Sequence, residues 1–127
     1  MTAPITGTEL ALTLFSLKET STVNDYRAFS RDVIRPGMFT MPAVVGFLDY
    51  QVEGGLTATD GWQLVELIAI TSREQFEVDN STIGADLAAQ WEEWVQDYRV
   101  LFLSDLLPEV ASAPNSTPEP SSTRNGR

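Results

Sequence analysis

The chain has neither histidine nor cysteine, and the residues whose placement suggests chemistry are carboxylates, arginines and tyrosines. Without histidine it lacks the commonest metal ligand, the usual triad base and the side chain that most readily changes charge near neutral pH. Without cysteine it has no thiolate nucleophile and no disulfide framework. Glu66 is the leading candidate. It lies within the run WQLVELIAI with apolar neighbours on both sides, and burial of a carboxyl raises its pKa towards the range useful for acid–base work. The plainer alternative is a structural glutamate paired with an arginine or reaching the rim of the fold. Asp49 and Tyr50 come next, in GFLDYQV. On a strand they point to opposite faces. An aspartate can take a proton and a tyrosine can donate a hydrogen bond to a developing oxyanion; otherwise Asp49 is a solvated strand end and Tyr50 a packed core residue. Arg27, Arg31 and Arg35 recur every four residues and make one stripe of a helix. A solvated face paired with Asp25 and Asp32 is the ordinary outcome, but Arg31, or better Arg35 where the chain breaks, can hold a substrate carboxylate with its planar fork.

The elements that must position these residues follow from periodicity. Residues 9–18, ELALTLFSLK, read as a first strand. Ser21 or Thr22 can cap the next helix, and Asp25 complements its dipole. Tyr26, Phe29, Val33 and Ile34 give that helix its apolar face, and Pro36 with Gly37 is expected to stop it. Residues 38–42 form a link and residues 43–52 a second strand. A glycine-containing loop then leads to a third strand over 62–70. Ser72 with Gln75 has capping-box spacing for a short helix to about residue 79, and Asn80 falls in the break after it. A longer helix is expected over 85–98, striped by Leu87, Trp91, Trp94, Val95 and Tyr98, and a last strand over 100–106 ahead of Pro108. The order β-α-β-β-α-β is an α+β, ferredoxin-like unit. Its helices cover one sheet face. The third strand is apolar at nearly every position, so the second face also needs a cover, and an identical sheet is the simplest one.

The organisation is one domain over residues 9–110, a flexible start at 1–8 and a tail, ASAPNSTPEPSSTRNGR, whose composition predicts disorder. The formal net charge is −10, with 18 acidic and 8 basic residues. Such a surface repels phosphates, so nucleic acid and anionic membranes are poor partners. The start has no basic, apolar signal pattern and no run is long enough to span a bilayer, which makes the cytoplasm the default compartment.

Three stretches, VIRPGMFTMPAVVGFLDYQV, GWQLVELIAITSREQF and AAQWEEWVQDYRVLFLSDLL, resemble the dimeric α+β barrel proteins, in which two ferredoxin-like protomers pack sheet to sheet. Within that superfamily the chain is most similar to the RedY-like (HapK-like) group from bacterial clusters making prodigiosin-type pyrroles and bisindoles. The resemblance implies a homodimer and a tailoring step on a small aromatic intermediate without metal or cofactor, in the form of a ring closure or an intramolecular amide-type condensation. Many barrel relatives use a pocket histidine, and those schemes do not transfer to this chain. Tyr26, Phe47, Trp62 and Trp91 are the large side chains that could line a flat cavity, although most such residues build core; Asn80 could face the same cavity. Two other functions share these features. One is a cofactor-free monooxygenase of the antibiotic-biosynthesis type, and the other a non-catalytic dimer that binds and shields an aromatic intermediate.

Overall fold

A computed structural model describes residues 9–107. The flexible start at 1–8 and the disordered tail expected from the sequence lie outside them. The element order is β1 (Glu9–Leu17), α1 (Val23–Phe29), a π turn (Ser30–Ile34), α2 (Arg35–Met38), β2 (Val44–Gln51), β3 (Leu64–Ile70), α3 (Arg73–Ser81), α4 (Ala85–Glu92) and β4 (Val95–Leu103). The strands form one sheet in the order β2-β3-β1-β4, with every neighbouring pair antiparallel. This is the ferredoxin-like arrangement read from the sequence.

β1 is central because its two faces are both apolar while its register serves two partners. Thr13 stands opposite Glu66 of β3 on one side and Val100 of β4 on the other. Ala11, Thr13, Phe15 and Leu17 are buried, while the residues between them are half-buried. This period-two pattern places the buried set under the helices. The core falls into two clusters. Ala11, Ile34, Met41, Ile68, Ile70 and Phe76 make one, and Phe15, Tyr26, Leu64 and Val95 the other. Gly84 brings α4 close to the first cluster: a Cβ there would sit 2.6 Å from the Met41 sulfur. Buried Asp79 fastens α3 to the start of β2 by accepting from the Ala43 amide at 2.9 Å and the Gln75 side chain at 2.8 Å.

Among the described residues no helix covers the opposite sheet face. By alternation it carries Leu10, Leu12 and Leu14 of β1, Val65 and Leu67 of β3, Leu48 of β2, and Leu101 and Leu103 of β4. Leu48, Leu101 and Leu103 are exposed. That apolar extent is unusual for a face left in water.

Two expectations need correction. Pro36 and Gly37 do not stop the first helix, which continues to Met38. The Arg35 amide donates to the Ser30 carbonyl, five residues back. This widened turn passes the proline, which lacks an N–H and would otherwise clash with the preceding turn. The late helix ends at Glu92, not at 98. Trp94 lies in the turn, where its carbonyl accepts from the Lys18 amide at 3.0 Å, and β4 starts at Val95, placing Tyr98 opposite Phe15. The run from Val95 to Leu103 is rich in β-branched and aromatic residues, and pairing with the central strand outweighs helical periodicity there. Smaller shifts place the start of β3 at Leu64, leaving Trp62 in the preceding loop.

Phe15 is fully buried and makes edge contacts with Tyr26 and Trp91 at centroid distances of 5.4 and 5.1 Å. Phe15→Ala is expected to cost about 3–5 kcal/mol. Leu56→Ala, at a fully exposed loop position, should stay within about 0.5 kcal/mol; urea denaturation of both variants measures the contrast.

Candidate active site

The site is built on one row of residues across the sheet. Asp49 of β2, Glu66 of β3, Thr13 of β1 and Val100 of β4 stand directly opposite one another in register. All four therefore face the helices. Glu66 is 5% exposed, and apolar Leu64 and Ile68 flank it on the same face of β3. The Tyr26 hydroxyl of α1 donates to Glu66 Oε2 at 3.3 Å, and the Trp91 indole of α4 donates to that hydroxyl at 3.0 Å. Among the described residues, Glu66 Oε1 has no hydrogen-bond partner. Burial first, and the nearby Asp49 carboxylate second, push the Glu66 carboxyl up to about 8, opposed by the hydrogen bond from Tyr26. Burial likewise pushes the Tyr26 phenol far above its ordinary value, assisted by the charge of Glu66. Tyr26 therefore acts as a fixed neutral donor. At neutral pH Glu66 holds a proton, and because Oε2 accepts from Tyr26, that proton belongs on Oε1.

Two cavities lie on either side of this pair: they share no lining residue, and Glu66 borders one while Tyr26 borders the other. The inner one, about 150 Å³, is lined by Thr13, Glu66, Ile68, Phe76, Asn80, Trp91 and Tyr98, among others, with Glu92 at its edge. It is smaller than the roughly 300–1,000 Å³ that takes a drug-sized ligand, so it fits a ring system and not a large molecule. The outer one, about 330 Å³, lies between α1 and edge strand β2, and Arg27, Ser30, Arg31, Arg35, Asp49 and Tyr50 contribute to its wall. Tyr26 lines this outer groove while its hydroxyl reaches Glu66. Asp49 is held there by the Ser30 hydroxyl and by an ion pair with Arg35.

Of the residues singled out from the sequence, Glu66, Asn80 and Trp91 come together at the inner cavity. Tyr26, Arg31, Arg35, Asp49 and Tyr50 gather at the outer groove. Tyr50 is half-exposed at the sheet edge, on the opposite face from Asp49, and does not reach the inner cavity. Arg31 pairs with Asp32, as expected. Phe47 and Trp62 line neither cavity. Phe47 packs against the core with Arg35 over its ring at 6.0 Å, and Trp62 lies under Arg99 at 6.0 Å. Thr13, Ser30 and Tyr98 were not foreseen. A lone threonine on the buried face of ALTLF is a readable signal for Thr13, whereas Tyr98 was hidden by its assignment to a helix. Among the described residues no three acids converge to form a metal-binding group.

The profile of the family described as REDY-like protein HapK matches residues 9–106, nearly the whole described domain. The chain belongs to the REDY-like HapK family. Solved structures agree on the fold. HapK from Hahella chejuensis superposes with a TM-score of 0.65 at 21% identity, covering 83% of this chain and 99% of its own. A dabb family protein with a ferredoxin-like fold from Mesorhizobium loti gives 0.61 at 14% identity, covering 79% and 98%. A hydroxynitrile lyase from Passiflora edulis gives 0.64 at 12% identity, covering 79% and 96%. Among curated proteins no sequence matches significantly. At these identities the likeness is one of fold, and it includes an enzyme, so the REDY-like HapK scaffold is shared with at least one catalyst.

The raised pKa has a consequence for stability. Between the ordinary value of 4.5 and about 8, the folded protein keeps a proton on Glu66 that the unfolded chain has lost. Stability is therefore full below about pH 4.5 and falls as pH rises towards 8, by about 1.4 kcal/mol per pH unit at most. Urea unfolding midpoints from pH 5 to 9 should show this fall in the wild type, and Glu66→Gln should remove it. A wild-type profile matching that of the variant would mean that Glu66 titrates normally.

Proposed function

We propose that this REDY-like HapK family member is a homodimeric tailoring enzyme that needs no metal or cofactor. It closes a ring on a small aromatic biosynthetic intermediate, with Glu66 as the acid–base group. The observation that carries this reading is a buried carboxyl that accepts a hydrogen bond from Tyr26 and lines a cavity walled by Phe76, Trp91 and Tyr98. A structural glutamate would be expected to have an arginine partner, and Glu66 has none among the described residues. The aromatic wall of Trp91 and Tyr98, whose rings meet edge-on at 5.1 Å, suits a flat heterocycle.

In an intramolecular amide-type condensation, a substrate nitrogen attacks a carboxyl carbon of the same molecule. Protonated Glu66 donates from Oε1 to the departing hydroxyl, which leaves as water. The carboxylate so formed takes the proton lost by the nitrogen, and Glu66 returns to its starting state. Holding both ends of one molecule in a cavity supplies much of the rate by removing the entropy of encounter. Tyr26, fixed by Trp91, keeps the carboxyl pointed and stays neutral. Activity that depends on protonated Glu66 should be level at neutral pH and decline as pH passes about 8.

The purified protein is incubated with the pathway's aromatic intermediate, without metal or nucleotide, and products are read by mass spectrometry with and without O₂. Loss of water in both atmospheres, reduced about 100-fold or more by Glu66→Gln, is the expected result. Gain of oxygen in air alone would replace this reading with a monooxygenase, and binding without turnover would replace it with a carrier. The uncovered sheet face fits a second copy of the same sheet. Leu101→Glu, placing a charge on that face, should convert a dimer to a monomer in sedimentation equilibrium, and a monomeric wild type would refute the dimer.

A further inference from the structure

The outer groove differs in charge from the rest of the molecule. The sequence carries a net charge of −10 and seven arginines, three of which line this one groove. Asp49 is the single carboxylate among its lining residues, and Arg31 is already engaged by both carboxylate oxygens of Asp32. Arg27 donates to Asn24 and Gln51, both neutral acceptors, so no carboxylate among the described residues offsets its charge. Arg35 engages Asp49 through Nη2 only, leaving Nε and Nη1 without partners among the described residues. Val23 supplies part-exposed apolar surface beside these cations, with buried Phe15, Leu64 and Tyr26 behind it. Guanidinium groups beside apolar surface form a site for a ring bearing a planar anion.

We infer that the groove is a carboxylate-binding subsite, and that its occupant shares Arg35 with Asp49. The recognised ligand is an aromatic carboxylate. Asp49 links the groove to the inner cavity, because it stands directly opposite Glu66 in the sheet. A carboxylate arriving beside Asp49, and drawing on the arginine that neutralises it, adds negative charge near Glu66. Glu66 then holds its proton more tightly. By reciprocity, protonation of Glu66 strengthens carboxylate binding. The groups that bear on this are few. Tyr26 comes from α1, Asp49 from β2, Glu92 from α4 and Tyr98 from β4; α3 presents uncharged Phe76 and Asn80, and β1 presents Thr13. Arg35 acts only through Asp49. Occupancy of the groove would thus keep Glu66 in the acid form that the proposed condensation uses, and this part of the inference rests on that reading.

The test is calorimetric binding of indole-3-acetate and its uncharged analogue indole-3-acetamide to the full chain. The acid should bind about tenfold more tightly than the amide. Arg35→Gln should remove most of that preference and Arg27→Gln part of it. The acid's affinity should fall as pH is raised past about 8. Glu66→Gln should abolish that pH dependence while keeping the preference for the acid. Equal binding of acid and amide by the wild type would overturn the inference, as would a preference that survives both arginine substitutions. The two readings fail separately. A groove that prefers the acid alongside turnover indifferent to Glu66 refutes the catalytic role alone. Turnover dependent on Glu66 without any acid preference refutes the groove alone.

Discussion

A carboxyl group at the centre of the sheet, facing the helices, is the constraint around which the rest of the helix face is arranged. Glu66 occupies a position where leucine or isoleucine would pack without cost. Keeping a carboxylate there would be expensive, and the protein meets that expense in part by leaving the group protonated. One donor from Tyr26 orients it without supplying a compensating charge. The nearest charged neighbour, Asp49, is an acid and pushes in the same direction as burial. A buried glutamate serving only stability would be expected beside an arginine. Here the arginine stops one residue short: Arg35 binds Asp49, and Asp49 faces Glu66.

That geometry depends on two local features of the backbone. The π turn at Ser30–Ile34 allows the helix to continue past Pro36, so that Ser30 and Arg35 both reach Asp49. The early end of α4 lets β4 start at Val95 and places Tyr98 beside Trp91 at the inner cavity, rather than about two turns along a helix. A widened turn in a helix is often tied to a functional residue, and here it aligns the ion pair that separates the two cavities' charges. Phe15, Tyr26, Phe29, Trp91 and Trp94 pack in a chain of ring contacts that holds the Tyr26 hydroxyl in place from behind.

The fold was legible because its signals are local: the short β-compatible run ELALTLFSLK, the Ser72 cap and the apolar run around Glu66. The placement of Glu66 was legible for the same reason, since a single acid in an otherwise apolar strand has few places to go. The end of α4 was not, because Trp91, Trp94, Val95 and Tyr98 fit a helical stripe as well as they fit a turn followed by a strand. Pairing with β1 decides between them, and that contact spans about eighty residues of sequence. The partner of Arg35 was also hidden. Asp25 and Asp32 are its neighbours along the helix, whereas Asp49 becomes its neighbour only once β2 lies against the π turn. Trp62 illustrates the converse error, in that size and aromaticity suggested a cavity wall for a residue that the loop before β3 directs towards Arg99.

In the proposed mechanism a chain without histidine manages protons near neutrality through a buried glutamate. Histidine is convenient because its ordinary pKa already lies there. A glutamate reaches the same range only when burial, a neighbouring acid and the exclusion of cations act together, and all three operate on Glu66. Such a carboxyl responds to charge placed next to it more strongly than an exposed group would, because little water intervenes. An anion in the arginine-lined groove therefore acts on Glu66 without touching it. In the proposed coupling the Asp49–Arg35 pair is the element between the two cavities, with Asp49 on an edge strand beside the groove and Glu66, opposite it, 5% exposed.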